Sequence, residues 1–356
     1  VRLISGHLVP FRLPLRRPWV SGAGRLSCRE GLLLRLEADN GLSGHGECTP
    51  LPAAGTEDGA TALKALQGWL QGCRGTAPED WLERLKPVGF DTPAARCALE
   101  TALLDLLSQQ AGQPLSQWLN PGCTRRVKVN ATLGALDRGA IARTARAVGE
   151  GYGVLKIKVG LLPPERELAH LHRLADALPE GVRMRLDANR AWTEPVAARY
   201  LAALSALPVE AVEEPLSQPG MDGLRRLQAL VSFPLAVDES LRELERERFF
   251  ADAPVKRIVV KPMAAGGVLA GLALAQAAAW AGLECVVTTT VDGACGVLAA
   301  LHLAAAVSND LSHGLATSAW LERDIGEVPQ PQAGTLAPPR LPGLGFSPAL
   351  VCCRRR

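Results

Sequence analysis

The sequence predicts an α/β protein in which a parallel β/α barrel carries a smaller α+β capping module. Three observations lead there. Short apolar runs, each with a charged residue at or near its end, recur through the second half of the chain, as in Leu155-Lys156-Ile157-Lys158, Arg185-Leu186-Asp187, Val212-Glu213, Ala236-Val237-Asp238 and Val259-Val260-Lys261. From Lys158 the steps to Asp187, Glu213, Asp238 and Lys261 are 29, 26, 25 and 23 residues, about the length of one strand, one helix and two short loops. The first 120 residues instead run from strands to helices, which suggests a separate module.

Residues 1 to about 50 read as strands. Gly31 to Glu37 is one, and Asp39-Asn40-Gly41 is a hairpin signal after it. From Thr56 to Leu107 the apolar spacing turns helical, most plainly over Pro93 to Asp105. After Pro121-Gly122 strands are expected at 127–133, 155–158, 183–187, 208–213, 234–238, 257–261 and 284–290, with a last one near 311–315. Helices fall between them, including Asp137–Glu150, Pro164–Leu178 and Glu194–Leu204. Seven or eight such units close naturally into a barrel, because the crossover is right-handed each time. A doubly wound sheet would normally carry a G-x-G-x-x-G loop, and no strand end offers one. The expected division is 1–122 for the capping module, 123–324 for the barrel, and a Pro- and Gly-rich tail, 325–356, that returns to the cap.

A net charge of +3 with interspersed signs gives no nucleic-acid or membrane footprint. The one basic run, Arg354-Arg355-Arg356, reads as a solvated tail. Nine cysteines without a C-x-x-C pair argue against a zinc site or disulfide framework. With no apolar h-region over Val1–Pro10, the expectation is a cytoplasmic protein. Leu269–Ala281 is too short to span a bilayer.

Asp187, Glu213 and Asp238, at three successive strand ends, are hard oxygen donors suited to Mg²⁺. Lys156 and Lys158 are two apart on a strand and so share a face. A lysine buried beside a cation and a second lysine has a depressed pKa and can act as a base. Lys261 would approach from the far side of the ring. His170 and His172 read as surface residues and His302 as packed. His313, before Gly314 at the last strand, is a pocket-lining candidate. Trp19, in the segment Pro18-Trp19-Val20-Ser21-Gly22-Ala23-Gly24, is the aromatic of an expected mobile lid.

These segments resemble the enolase superfamily and its muconate-lactonizing subgroup. The shared pattern is K-x-K on the second barrel strand, carboxylates on the third to fifth, and a lysine on the sixth. In E-[EQ]-P the first acid is the ligand, which selects Glu213 over Glu214. Within the subgroup the chain is similar to the o-succinylbenzoate synthase family, through Arg29-Glu30-Gly31, Gly46-Glu47-Cys48-Thr49-Pro50-Leu51-Pro52, Arg185 to Trp192, Thr288-Thr289-Thr290 and His313-Gly314-Leu315-Ala316-Thr317. Ala316 stands where an Asp is common.

The resemblance implies a modified TIM barrel, (β/α)7β, with Mg²⁺ (or Mn²⁺ in its place) held by Asp187, Glu213 and Asp238. It implies dehydration of 2-succinyl-6-hydroxy-2,4-cyclohexadiene-1-carboxylate to o-succinylbenzoate, in menaquinone or phylloquinone biosynthesis. Lys158 would be the base, Lys261 the cation opposite, and Lys156 an added positive charge. Arg185, Asn189, Thr289, Gly314 and Trp19 would bind the carboxylate substrate. Three alternatives stay open. An N-succinylamino acid racemase or a dipeptide epimerase would use Lys158 and Lys261 as two bases. Dipeptide enzymes usually have a D-x-D on the last strand, which Ser312 to Thr317 lacks. Muconate cycloisomerase is a further option, and a silent barrel acting as a binding module is the last.

Overall fold

The computed structural model describes residues 1–21, 24–86, 88 and 90–349. Gly22 and Ala23 of the expected lid, Cys352, Cys353 and the Arg354–Arg356 run lie outside them. The capping sheet is antiparallel, in the order β1 (Leu3–Ser21), β2 (Gly24–Ala38) and β3 (Ser43–Cys48). The β2–β3 hairpin turns at Gly41, whose φ of 83° suits glycine. Helix Pro93–Gln110 lies against β3 and is buried from Pro93 to Ser108. Gly46 permits that approach, since a Cβ there would stand 1.8 Å from the Ala98 carbonyl oxygen. Glu57 caps the helix start by accepting from the Ala94 and Ala95 N–H groups at 3.0 and 2.8 Å.

A two-residue strand, β4 (Val127–Lys128), precedes a seven-stranded parallel sheet. Its strands, in spatial as in sequence order, are β5 (Ala131–Ala135), β6 (Val154–Lys158), β7 (Arg183–Asp187), β8 (Val209–Glu213), β9 (Leu235–Val237), β10 (Arg257–Val260) and β11 (Glu284–Val287). The two edges meet on one short segment: Thr288 bridges to Gly314 and Val129 bridges to His313, both in parallel sense. The curled sheet is thereby joined into the expected barrel. Among the described residues two apolar clusters form the core: one fills the barrel and takes in Phe11, Leu13, Leu15 and Leu104 of the cap, and the other lies in the cap and takes in Met263.

One expected element divides. The run 127–133 is two strands: β4 pairs antiparallel with β12 (Thr335–Leu336) of the tail, and only β5 enters the barrel. A register shift between Thr132 and Gly134, with Gly134 at φ 80°, marks the bulge inside β5. The tail also reaches helix Pro93–Gln110, where the Leu344 N–H donates to Asp105 at 2.8 Å. His302 is packed, as expected: its Nδ1 accepts from the Ser116 N–H at 3.0 Å, and its Nε2 faces the Leu344 carbonyl at 3.1 Å. Among the described residues no helix is long and apolar enough to cross a membrane.

Candidate active site

Strand register builds the site. Lys158, Asp187 and Glu213 are Cα partners across β6, β7 and β8, so their side chains leave the barrel wall side by side. Asp238 and Lys261 each directly follow their strands, β9 and β10. Lys156 lies two residues before Lys158 and shares its face. A cavity of about 250 Å³ opens at this end of the barrel. Lys156, Lys158, Asp187, Asn189, Asp238 and Lys261 line it from the barrel, with Trp19 from the cap. Thr289 and Gly314 also face it.

Lys158 Nζ donates to Asp187 Oδ2 at 2.7 Å and to Asn189 Oδ1 at 2.5 Å. Lys156 Nζ bridges Asp187 Oδ2 at 3.0 Å and the Glu213 carboxylate. Lys261 Nζ lies 2.5 Å from Asp238 and 3.8 Å from Glu239. These pairings set the charge states. Burial, with the positive charges of Lys156 and Lys261, holds the Lys158 ammonium below the ordinary lysine range against the pull of Asp187. Burial acts the same way on Lys261, but Asp238 and Glu239 outweigh it and hold that ammonium above the usual range. Lys156 is likewise raised, because Asp187 and Glu213 overcome its burial.

Trp19 stands with its ring centroid 5.6 Å from Lys158 Nζ. It lies on β1, opposite Leu26, and not on a loop. Its ring packs edge-on against Trp320 at 4.8 Å. Hairpin pairing therefore carries the aromatic to the cavity, where a mobile lid was expected.

Two expected pocket residues lie elsewhere. Arg185 is 1% exposed, and its guanidinium grips Glu210 at 2.8 and 3.1 Å, Asn130 at 3.2 Å and the Ser312 carbonyl at 2.8 Å. Arg257 joins the same acid at 2.6 Å. Arg185 shares a face with Asp187 but stands one pleat lower, in the barrel floor. His313 is also buried, with Nδ1 accepting from the Val287 N–H at 2.9 Å. Burial and the nearby Arg185 and Arg257 push it down to about 3, so it is neutral.

Glu214, passed over in the sequence, holds the Asp238 turn. Its Oε1 accepts from the Asp238 and Ser240 N–H groups at 2.5 and 3.0 Å and from the Ser240 hydroxyl at 2.7 Å. The adjacent Glu213 instead turns to Lys156. Thr132, Val291 and Thr317 also line the cavity unforeseen. Only the threonine-rich strand end hinted at such a wall.

Among the described residues, no three His, Cys, Asp or Glu side chains stand close enough together to hold one ion. The expected convergence of Asp187, Glu213 and Asp238 is interrupted by ammonium groups. Lys156 sits between Asp187 and Glu213, and Lys261 sits on Asp238. The donor set nonetheless fits a hard divalent cation. All three acids offer only oxygen, Asp187 and Glu213 are buried and Asp238 is partly so, and each already has positive charge lodged against it.

Residues 140–349 match the family described as enolase C-terminal domain-like. Residues 6–120 match the mandelate racemase / muconate lactonizing enzyme N-terminal domain. A hydrophobic dipeptide epimerase of Enterococcus faecalis is 29% identical over 324 residues, 88% of this chain and 91% of the relative. An o-succinylbenzoate synthase of Klebsiella pneumoniae strain 342 is 30% identical over 318 residues, 88% and 91% of the two chains. The solved E. faecalis dipeptide epimerase, complexed with Mg and the dipeptide L-Leu-L-Tyr, superposes with a TM-score of 0.89 at 27% identity. It covers 98% of this chain and 100% of its own. These relatives include both dipeptide epimerases and an o-succinylbenzoate synthase, so the narrower resemblance to the synthase goes beyond what the matches carry.

Proposed function

We propose that this chain, which belongs to the enolase superfamily, is a Mg²⁺-dependent lyase. Its reaction would be dehydration of 2-succinyl-6-hydroxy-2,4-cyclohexadiene-1-carboxylate to o-succinylbenzoate. The observation that carries this reading is the unequal pairing of two opposed lysines. β6 and β10 are four strands apart in the ring, so Lys158 and Lys261 face one another across the cavity. Lys158 shares one carboxylate with Lys156 and completes its shell with the neutral Asn189 amide. Lys261 faces two carboxylates. One base and one fixed cation suit elimination on a single face, whereas racemisation needs a base on each face.

Asp187, Glu213 and Asp238 would hold the ion. When bound, a divalent cation supplies positive charge to the substrate carboxylate and lowers the cost of the neighbouring carbanion. Lys158 takes the proton from the carbon next to that carboxylate. The electron pair of the broken C–H bond spreads into the carboxylate and ring as an enediolate. Lys261 stabilises that anion from the other face as a cation. Lys158 then returns its proton to the hydroxyl group as the C–O bond breaks, and water leaves. Trp19 and the threonine wall exclude solvent from the ring.

Among the described residues, apart from Asp187 and Asp238, which would hold the ion, the acid lining the cavity is Glu239, 3.8 Å from Lys261 Nζ. That counts against a dipeptide with a free amine. Racemisation of an N-succinylamino acid is the second reading, favoured by the same opposed placement of Lys158 and Lys261. The test offers the purified protein the cyclohexadiene carboxylate, an N-succinylamino acid and an L-Ala-L-Glu-type dipeptide, with Mg²⁺ and after chelation. Chelator-sensitive dehydration with the highest kcat/KM supports the lyase. Faster racemisation or epimerisation overturns it, and no turnover with any of them favours a silent barrel.

A further inference from the structure

Two walls of the cavity come from different modules: Leu51–Ala54 from the cap, and Thr288–Val291 from the barrel. One side chain joins them. Arg29, on β2, is 2% exposed. Its guanidinium donates to the carbonyls of Thr49 at 2.5 Å, Pro50 at 3.2 Å and Val291 at 3.3 Å. The first two acceptors lead into one wall, and the third ends the other.

Val291 is a strained residue. Its φ is 61°, in the left-handed region that a β-branched side chain rarely enters. Such a conformation persists where the surroundings over-determine it. Here they do so from both sides. Arg29 holds the carbonyl of Val291. Just beyond it, Glu47 of β3 accepts from the Gly293 and Gly296 N–H groups at 2.6 and 2.8 Å, capping helix Ala294–Val307 across the module boundary. Asp324 accepts from the intervening Ala294 N–H at 2.7 Å. The helix start is thus fixed against the cap, and the strained turn spans the gap between it and β11.

We propose that Arg29 is a positioning residue that assembles the substrate pocket, holding Val291 in its left-handed conformation so that the Thr288–Val291 wall meets the Leu51–Ala54 wall. This rests on reading the cavity as the active site. It gives the Arg29-Glu30-Gly31 and Gly46-Glu47 segments a shared task that the reaction itself does not use. Gly31 fits the same arrangement, because a Cβ there would lie 2.5 Å from the Cys48 carbonyl oxygen.

The test is a double-mutant cycle on the full chain loaded with Mg²⁺, using Arg29→Gln, Val291→Gly and the pair together. Arg29→Gln should raise KM about tenfold and change kcat less than about threefold, a misplaced wall rather than lost chemistry. Val291→Gly is the reference for the cycle: it removes a lining side chain, so it sets its own KM, and its glycine enters the left-handed region without strain whether or not Arg29 is present. In the double variant glycine should return KM to within about threefold of Val291→Gly alone. An unchanged KM in Arg29→Gln overturns the proposal, and so does an Arg29→Gln effect as large in the Val291→Gly background as in the parent. If Arg29→Gln does not fold, Arg29→Lys runs the same cycle, since lysine lacks the planar fork that spans three carbonyls. Should the parent turn over none of the carboxylates, the functional reading fails by itself. The clamp is then decided by hydrogen exchange at residues 288–293. Exchange about tenfold faster in the arginine variant supports it, and unchanged exchange overturns it.

Discussion

The barrel holds two charged networks on the same strands, separated by little more than one pleat. In the floor, Arg185, Glu210, Arg257 and Glu284 close on one another in a chain of ion pairs. At the mouth, Lys156, Lys158 and Lys261 meet Asp187, Glu213 and Asp238 around an open pocket. Both mix acids with bases. The difference is what they leave over. In the floor two arginines hold the Glu210 carboxyl down at about 2 against its burial. The mouth leaves lysines, point charges that can shed a proton, facing empty space. A residue type that cannot deprotonate builds structure, and one that can builds chemistry.

The largest expected effect breaks the mouth without touching the fold. Lys158→Ala should lower turnover by about 10³-fold or more, the scale of a lost general base. Solvent-deuterium exchange at the carbon next to the carboxylate should stop as well. Stability should hardly move, because Asp187 keeps Lys156 at 3.0 Å. A variant that still exchanges deuterium would place the base elsewhere. Lys261→Arg sharpens the same contrast. It keeps the cation but removes a second base, so it should retain measurable dehydration and no two-base racemisation. Equal loss of both activities would argue against the one-base reading.

The floor should respond in the opposite way. Glu210→Ala strands two buried guanidinium groups and should cost about 3–5 kcal/mol, read as a fall in the denaturation midpoint. Activity per folded molecule should stay within a few-fold. A loss of activity larger than the loss of folded protein would mean the floor positions the mouth.

The same contrast explains what was legible in the chain. Strand ends punctuated by charge gave the barrel order, the row of Lys158, Asp187 and Glu213, and the opposed Lys261, because the period of side chains along a strand is strict. Arg185 was misplaced because that period tells which face a residue is on and not how deep it sits. His313 failed for the same reason. Glu214 and Arg29 were illegible as positioning residues. Their partners are backbone groups of distant segments, in the Asp238 turn and at Val291, and no local spacing encodes those. Trp19 was legible as an aromatic near the site and not as a strand residue, because a glycine-rich stretch reads as a loop until its hairpin partner is known.

The smallest effect concerns a third buried acid, which lies between modules and has no cation in its hydrogen-bond shell. Glu47 accepts from the Gly293 and Gly296 N–H groups and the Thr49 hydroxyl. Burial, reinforced by Asp292, raises it from 4.5 to about 7. Between those values the folded chain holds a proton that the unfolded chain has released. Glu47 therefore supports folding fully below 4.5 and loses that contribution as pH rises through about 7, on the order of 3 kcal/mol. Glu210 has the opposite sign. Its folded carboxyl lies below the unfolded one, so its contribution stands above 4.5 and is lost as pH falls toward 2. The two windows do not overlap. Denaturation midpoints measured from pH 5 to 8 should fall for the parent and fall less steeply in Glu47→Gln, whose amide has no proton to lose; Glu100, Glu214 and Asp324, which burial raises to about 7, 8 and 6, keep the remaining slope. A parallel slope in the variant would mean that the cap's buried acid is ionised in the folded chain, paired like the floor after all.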